Sequence, residues 1–206
     1  MERKKLPIGI QTFSEIRRER YYYVDKTPFV AALAEGGKYY FLSRPRRFGK
    51  SLFLDTLAEA FAGNRELFTG LYLENHWDWD TRYPVIRISF AEGRLQNASA
   101  LEEHLHETLT ENARTLGISI DAAPKDVHLR FGQLITRAAE RFGQRTVVLV
   151  DEYDKPILDN LTEPDIARQM REGLRNLYSV IKGRDADLRF VFLTGVSKFS
   201  KVSLFS

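Results

Sequence analysis

The spacing of apolar positions changes along the chain, and each change marks an element. Tyr39-Tyr40-Phe41-Leu42 is a short β-prone run; beyond a polar stretch, Phe53, Leu54, Leu57, Ala58 and Phe61 recur at helical spacing. Val85-Ile86-Arg87-Ile88-Ser89-Phe90, opened by Pro84, alternates strictly and predicts a strand buried on one face, as an edge strand is. Thr146-Val147-Val148-Leu149-Val150 is instead continuous, β-branched and apolar, which suits a central parallel strand covered on both faces. Leu188 to Leu193 predicts a further strand, closing on Thr194-Gly195.

Between these runs the period is helical. Leu101, Leu105, Leu109 and Leu116 share one face up to Gly117, behind Ser99-Ala100-Leu101-Glu102, which reads as a capping box. Phe131, Leu134, Ile135, Ala138, Ala139 and Phe142 predict a second helix stopped by Gly143. Ile166, Met170, Leu174, Leu177, Tyr178 and Ile181 predict a third, started by Thr162-Glu163-Pro164 and ended at Gly183. Nearer the start, Pro28 suits a first helical residue, with Thr27 or Asp25 as its cap and Phe29, Val30 and Leu33 on one face before Gly36-Gly37. Tyr21-Tyr22-Tyr23 reads as a packed, partly buried strand rather than a base-stacking platform. Asn75 to Asp80, with Trp77 and Trp79, reads as a surface excursion. Alternating strands and helices predict an α/β domain with a mainly parallel sheet and its ligand crevice at the carboxyl ends of the strands. Without repeats or a linker, residues 1–206 read as one domain, with 1–38 as a lead-in segment.

Composition narrows the function. At 206 residues and 43% apolar the chain can bury a core. The absence of cysteine removes disulfides, thiolate catalysis and cysteine-ligated zinc, and fits a cytoplasmic location. Leu6-Pro7-Ile8-Gly9 is no signal-peptide core, and the apolar runs are too short to cross a bilayer, so no membrane partner is expected. The net charge is only +3, and its densest patch, Arg44, Arg46, Arg47 and Lys50, lies in one loop. A bound polyphosphate accounts for that patch without nucleic acid.

The loop carries the chemistry. Strand, basic loop ending Gly49-Lys50-Ser51, then helix is the arrangement of a phosphate-binding loop: backbone N–H groups and the helix N-terminus face the anion, Lys50 reaches the β/γ-phosphates and Ser51 ligates Mg²⁺. The usual pattern wants glycine where Arg44 stands, and Pro45 supplies no N–H, so the tripeptide alone is a weak signal. A second feature strengthens it. The apolar strand ending Asp151-Glu152 gives a nucleotide hydrolase its other half, with Asp151 holding Mg²⁺ and Glu152 orienting or deprotonating the attacking water. Alone, such a pair is equally compatible with a solvated turn. Thr194 faces the γ-phosphate if its strand lies between the other two, although a threonine finishing a strand is ordinary. Arg46 and Arg47 either stabilise charge on the transferred phosphoryl group or raise the local potential. Asp154-Lys155-Pro156 is equally a structural turn. His104 and His106, two apart on a predicted helix, point different ways, which argues against a shared metal.

Leu6-Pro7-Ile8-Gly9-Ile10-Gln11, Tyr22 to Thr27, Phe41 to Ser51, Val150 to Pro156 and Leu193 to Lys201 together resemble the AAA-ATPase-like family of bacterial and archaeal proteins, across nearly the whole chain. The family itself carries Arg-Pro-Arg-Arg-Phe-Gly-Lys-Ser, so the missing glycine matches its pattern. The resemblance implies a P-loop NTPase three-layer sandwich that binds ATP and Mg²⁺. Arg46, Arg47, Phe48, Gly49, Lys50, Ser51 and Leu52 then hold the nucleotide, with Asp25 toward the adenine side. Lys50, Glu152 and Thr194 are catalytic, and Ser51 and Asp151 hold the metal. An ATP-binding switch without hydrolysis is the alternative reading. Family members continue past Leu204-Phe205 with another strand and a PD-(D/E)xK nuclease-like domain. On this resemblance the chain is an N-terminal fragment, DNA is a candidate partner through the missing domain, and the sheet edge beside Tyr39 to Leu42 is left open for self-association; a DNA-engaging module is a third reading, supported by the mild basicity and the nuclease association.

Overall fold

Thr146–Asp151 is buried along its whole length and has a separate hydrophobic core on each face. The computed structural model describes residues 4–120 and 126–197. Its sheet is four-stranded and all parallel, in the order β1 (Tyr39–Ser43), β4 (Leu188–Gly195), β3 (Thr146–Asp151), β2 (Val85–Ser89). The β-strand period of two sorts the side chains. Val147, Leu149, Phe190 and Phe192 pack with helices α1 (Phe13–Arg18), α2 (Thr27–Gly36) and α3 (Lys50–Phe61). Val148, Val150, Val191 and Leu193 pack with α4 (Ala98–Thr115), α5 (Val127–Phe142) and α7 (Pro164–Gly183), joined by Ile157 of the single-turn α6 (Lys155–Leu158). Helices on both faces of a parallel sheet make the α/β three-layer sandwich of a P-loop NTPase-like fold.

The continuous apolar run does form the buried β3, and the alternating run forms the edge strand β2, with Ile86 and Ile88 buried and Arg87 and Ser89 exposed. The outer edge of β2 is covered from α4. Asn112 Oδ1 accepts from the Arg87 N–H and its Nδ2 donates to the Arg87 carbonyl, both at 2.8 Å, while a His104 ring nitrogen meets the Ser89 carbonyl. A side-chain amide thus occupies backbone groups that an open edge would offer to another strand. β1 forms the opposite edge of the described sheet. The expectations for Lys198 to Lys201 and for Leu204-Phe205 fall outside the described residues.

Three local expectations fail. Tyr21 to Tyr23 form no strand; the segment runs without a ladder partner, Tyr22 is 53% exposed, and Tyr23 packs edge-on against Phe13. The α4 cap is Asn97, whose side chain accepts from the Ala100 N–H at 2.8 Å, while Ser99 lies inside the helix and bonds Glu103. Phe29 and Phe142 are 60% and 39% exposed, at the margins of their helical stripes. Among the described residues no helix is long and apolar enough to cross a membrane.

Candidate functional site

β1, β4 and β3 end together. The register pairs Leu42 with Thr194, Ser43 with Gly195 and Val150 with Leu193, so the segments 44–49, 152–154 and 196–197 leave the sheet at one carboxyl edge. Arg44, where a glycine was wanted, continues the strand: its N–H donates to the Gly195 carbonyl at 3.2 Å. The extended backbone that Pro45 imposes on it suits that pairing.

The loop then changes hand at alternate residues. Arg47 and Gly49 have left-handed φ of 65° and 72°, and Arg46 and Phe48 do not. Alternating hands turn successive N–H groups toward one side, the geometry of an anion-binding nest. Among the described residues, the N–H groups of Arg46, Arg47, Phe48 and Gly49 donate to no backbone carbonyl, and residues 44–49 are all exposed. Holding an arginine in the left-handed region costs about 1 kcal/mol, a local strain of the kind found where a backbone shape is needed.

Lys50 opens α3 and is only 6% exposed, and its Nζ donates to the Pro45 carbonyl at 3.0 Å. None of the ion pairs among the described residues includes it. A buried ammonium lacking a counter-ion costs several kcal/mol unless an anion arrives. Ser51 follows in the first turn, half-buried, beside helix N–H groups that have no intrahelical acceptor.

Opposite the loop, Asp151 is 6% exposed. Its Oδ1 accepts from the Thr194 hydroxyl and, at 3.1 Å, from the Glu152 N–H. The Glu152 N–H also reaches Thr194 Oγ1 at 3.2 Å. Glu152 sits at φ 51°, so the chain turns sharply as it leaves β3 and the second carboxylate departs from the strand direction. The next acid, Asp154, is 1% exposed and serves as an anchor: its carboxylate accepts from the Val196 N–H, the Ser197 N–H at 2.6 Å and the Ser197 hydroxyl at 2.7 Å. Tyr153 completes the tie, its N–H donating to the Thr194 carbonyl and its hydroxyl to the Ser197 carbonyl. Gly195 is required here, since a Cβ would lie 2.4 Å from the Tyr153 ring.

The family model for predicted AAA-ATPases matches residues 7–205. The chain belongs to this AAA-ATPase-like family. A curated relative in Azotobacter chroococcum mcd 1, described as an uncharacterized protein in the vnfD 5' region, is 63% identical over 207 residues, covering 100% of this chain and 40% of that protein. The chain thus spans well under half the length of that relative. No solved structure matches.

Within this AAA-ATPase-like chain the expected residues fall in two places. Arg46 to Leu52, Asp151, Glu152 and Thr194 gather at the carboxyl edge of the sheet. Asp25 stands apart: Oδ1 accepts from the Thr27 N–H and Oδ2 from the Tyr72 N–H, both at 2.8 Å, so both its oxygens bind backbone. Burial pushes the Asp25 carboxyl up, but the bonds from Tyr72 and Thr27 outweigh it and hold its pKa below the ordinary carboxylate value. Sequence reasoning missed Asp154 as an anchor, because adjacent acids do not say which one turns inward. It also missed Asp55, which is buried on α3, accepts from the Phe13 N–H at 2.6 Å and ion-pairs Arg87 at 2.6 Å, tying α1 and β2 to the helix behind the loop. Two clefts, of about 510 and 620 Å³, are lined by residues away from this edge, whereas the loop 44–49 itself is exposed.

Proposed function

We propose that this domain binds ATP with Mg²⁺ and hydrolyses it in the crevice between the loop 44–49 and the turn 151–154. The observation that carries the reading is Lys50, a buried ammonium whose one acceptor among the described residues is a carbonyl of its own loop. A triphosphate supplies the missing negative charge: the β/γ-phosphates take Lys50 and the N–H groups of residues 46–52, with Arg46 and Arg47 adding positive potential at the mouth. The ligand set for the metal fits as well. Mg²⁺ takes few protein oxygens and fills its shell with phosphate and water, so the Ser51 hydroxyl and one Asp151 carboxylate suffice, and no cluster of three acids or histidines is needed. Held by Ser51 and Asp151, Mg²⁺ would supply positive charge against the phosphate oxygens.

Glu152 is the group that orients and deprotonates the attacking water. Its left-handed backbone turns it out of the strand beside Asp151, and a carboxylate acts in this role without a further cofactor. Thr194 is a positioning residue, since its hydroxyl both donates to Asp151 and accepts from the Glu152 N–H. Asp25, whose carboxylate is taken up by the backbone N–H groups of Thr27 and Tyr72, is given no part in the chemistry. Phosphate release by wild type and Glu152→Gln tests the chemistry. The variant keeps ATP affinity and loses ~10²–10⁴-fold in turnover. Turnover that persists in Glu152→Gln removes the base, and binding without turnover in wild type leaves an ATP-dependent switch.

A further inference from the structure

A second charged feature lies away from this crevice. Beside the end of α1 is a cleft of about 510 Å³ lined by Lys4, Arg17, Arg18, Arg20, Tyr21 and Glu66, among others: four cations against one acid. Arg17 is committed to structure, since its guanidinium donates to the Leu67 and Thr69 carbonyls. Lys4, Arg18 and Arg20 are exposed, and among the described residues their side chains have no hydrogen bond or ion pair. A helix C-terminus favours cations, but α1 has only six residues and Lys4 reaches the cleft from a different segment.

The backbone at Arg20 adds an independent signal. α1 closes with the Tyr21 N–H on the Ile16 carbonyl at 3.0 Å and the Arg20 N–H on the Arg17 carbonyl at 3.3 Å, and Arg20 takes the left-handed position at φ 56°. Glycine is the low-strain residue at that position. An arginine held there is strained, and its side chain is delivered to the cleft where three other cations converge.

We propose that this cleft docks the phosphodiester backbone of a nucleic acid, with Lys4, Arg18 and Arg20 contacting phosphates. Exposed cations on long arms, supplied by two chain segments around an open cleft, match a backbone of spaced charges better than one small anion in a closed site. Leu6, Ile8 and Tyr22 are exposed close by in sequence but do not line the cleft, whose exposed side chains are polar or charged; vesicle binding is therefore one arm of the test.

The test is fluorescence anisotropy of the whole 206-residue chain with labelled duplex DNA and labelled single-stranded RNA across a salt series, with and without saturating Mg-ATP. Three phosphate contacts give a log–log salt slope of about −2.7 on duplex DNA. Arg18→Gln with Arg20→Gln reduces the slope to about −0.9, while neutralising Arg114 and Arg168 on α4 and α7 leaves it unchanged. Arg20→Gly keeps the turn, folds at least as stably as wild type, and still flattens the slope by about 0.9. Mg-ATP does not displace the nucleic acid, which separates this cleft from the loop at Lys50. Absence of salt-dependent binding to both probes overturns the proposal. So does an unchanged slope in the double variant, or binding to phosphatidylserine vesicles without binding to either nucleic acid.

Discussion

The Thr194 hydroxyl donates to Asp151 Oδ1 across adjacent strands, and the same hydroxyl accepts from the N–H of Glu152. One buried side chain therefore fixes both the carboxylate proposed to hold Mg²⁺ and the backbone of the proposed base. Thr194→Val removes both bonds at nearly constant volume. Groups that orient a metal ligand typically cost 10–100-fold when lost, and a drop of roughly that size in ATP turnover is expected, with a smaller change in ATP affinity. Thr194→Ser restores the hydroxyl and recovers most of the rate. Steady-state kinetics with ATP distinguishes these outcomes; equal loss in the serine and valine variants means the hydroxyl is not the operative group.

Gly195→Ala tests the packing beneath that turn. The added Cβ would stand 2.4 Å from a Tyr153 ring carbon and 2.8 Å from Asp154 Oδ1, and both side chains are buried. Neither is a flexible arm that can move aside. Overpacking of this kind costs about 1–3 kcal/mol, read as a lower urea midpoint. A variant as stable as wild type means that the tie from 153–154 to 195–197 is looser than these distances imply.

Asp25 makes a pH-dependent contribution of known sign. The bonds from Tyr72 and Thr27 hold its pKa in the folded chain below the ordinary carboxylate value. A carboxyl with a depressed folded pKa contributes stability above its unfolded pKa and loses it as pH falls through the folded value. Asp25→Asn therefore destabilises at pH near 6, and the gap from wild type narrows below about pH 4, where protonation takes the same charge from wild type. Urea melts at both pH values measure it; a gap that widens on acidification contradicts the assigned bonds to Thr27 and Tyr72.

Much of this was legible in the sequence where side-chain chemistry and backbone shape agree. Continuous apolar character placed Val147 to Val150 in a central strand, and alternation placed Val85 to Ser89 at an edge, because burial on two faces or one is written directly in residue type. The loop was legible from Gly49-Lys50-Ser51. Its shape was not: the left-handed positions at Arg47 and Glu152 are filled by residues that ordinarily avoid that region, so no glycine announces them. Tyr21 to Tyr23 carry strand-forming rings but have no neighbouring strand to pair with, and tertiary context overrides propensity. Asn97 displaced Ser99 as the α4 cap because a helix starts at the first residue able to receive its free N–H groups, here one turn ahead of Leu101.

Lys50, buried without a counter-ion among the described residues, is proposed to meet a phosphate. Titration calorimetry of Mg-ATP into wild type and Lys50→Ala, with circular dichroism on the same samples, addresses this directly. Mg-ATP should bind wild type and bind the folded variant at least ~10-fold more weakly, as loss of a charge-assisted bond predicts. The nucleotide-free variant should melt no lower than wild type, because an unpaired buried charge has been removed. Equal affinity in the two proteins, with the variant folded, would contradict the account.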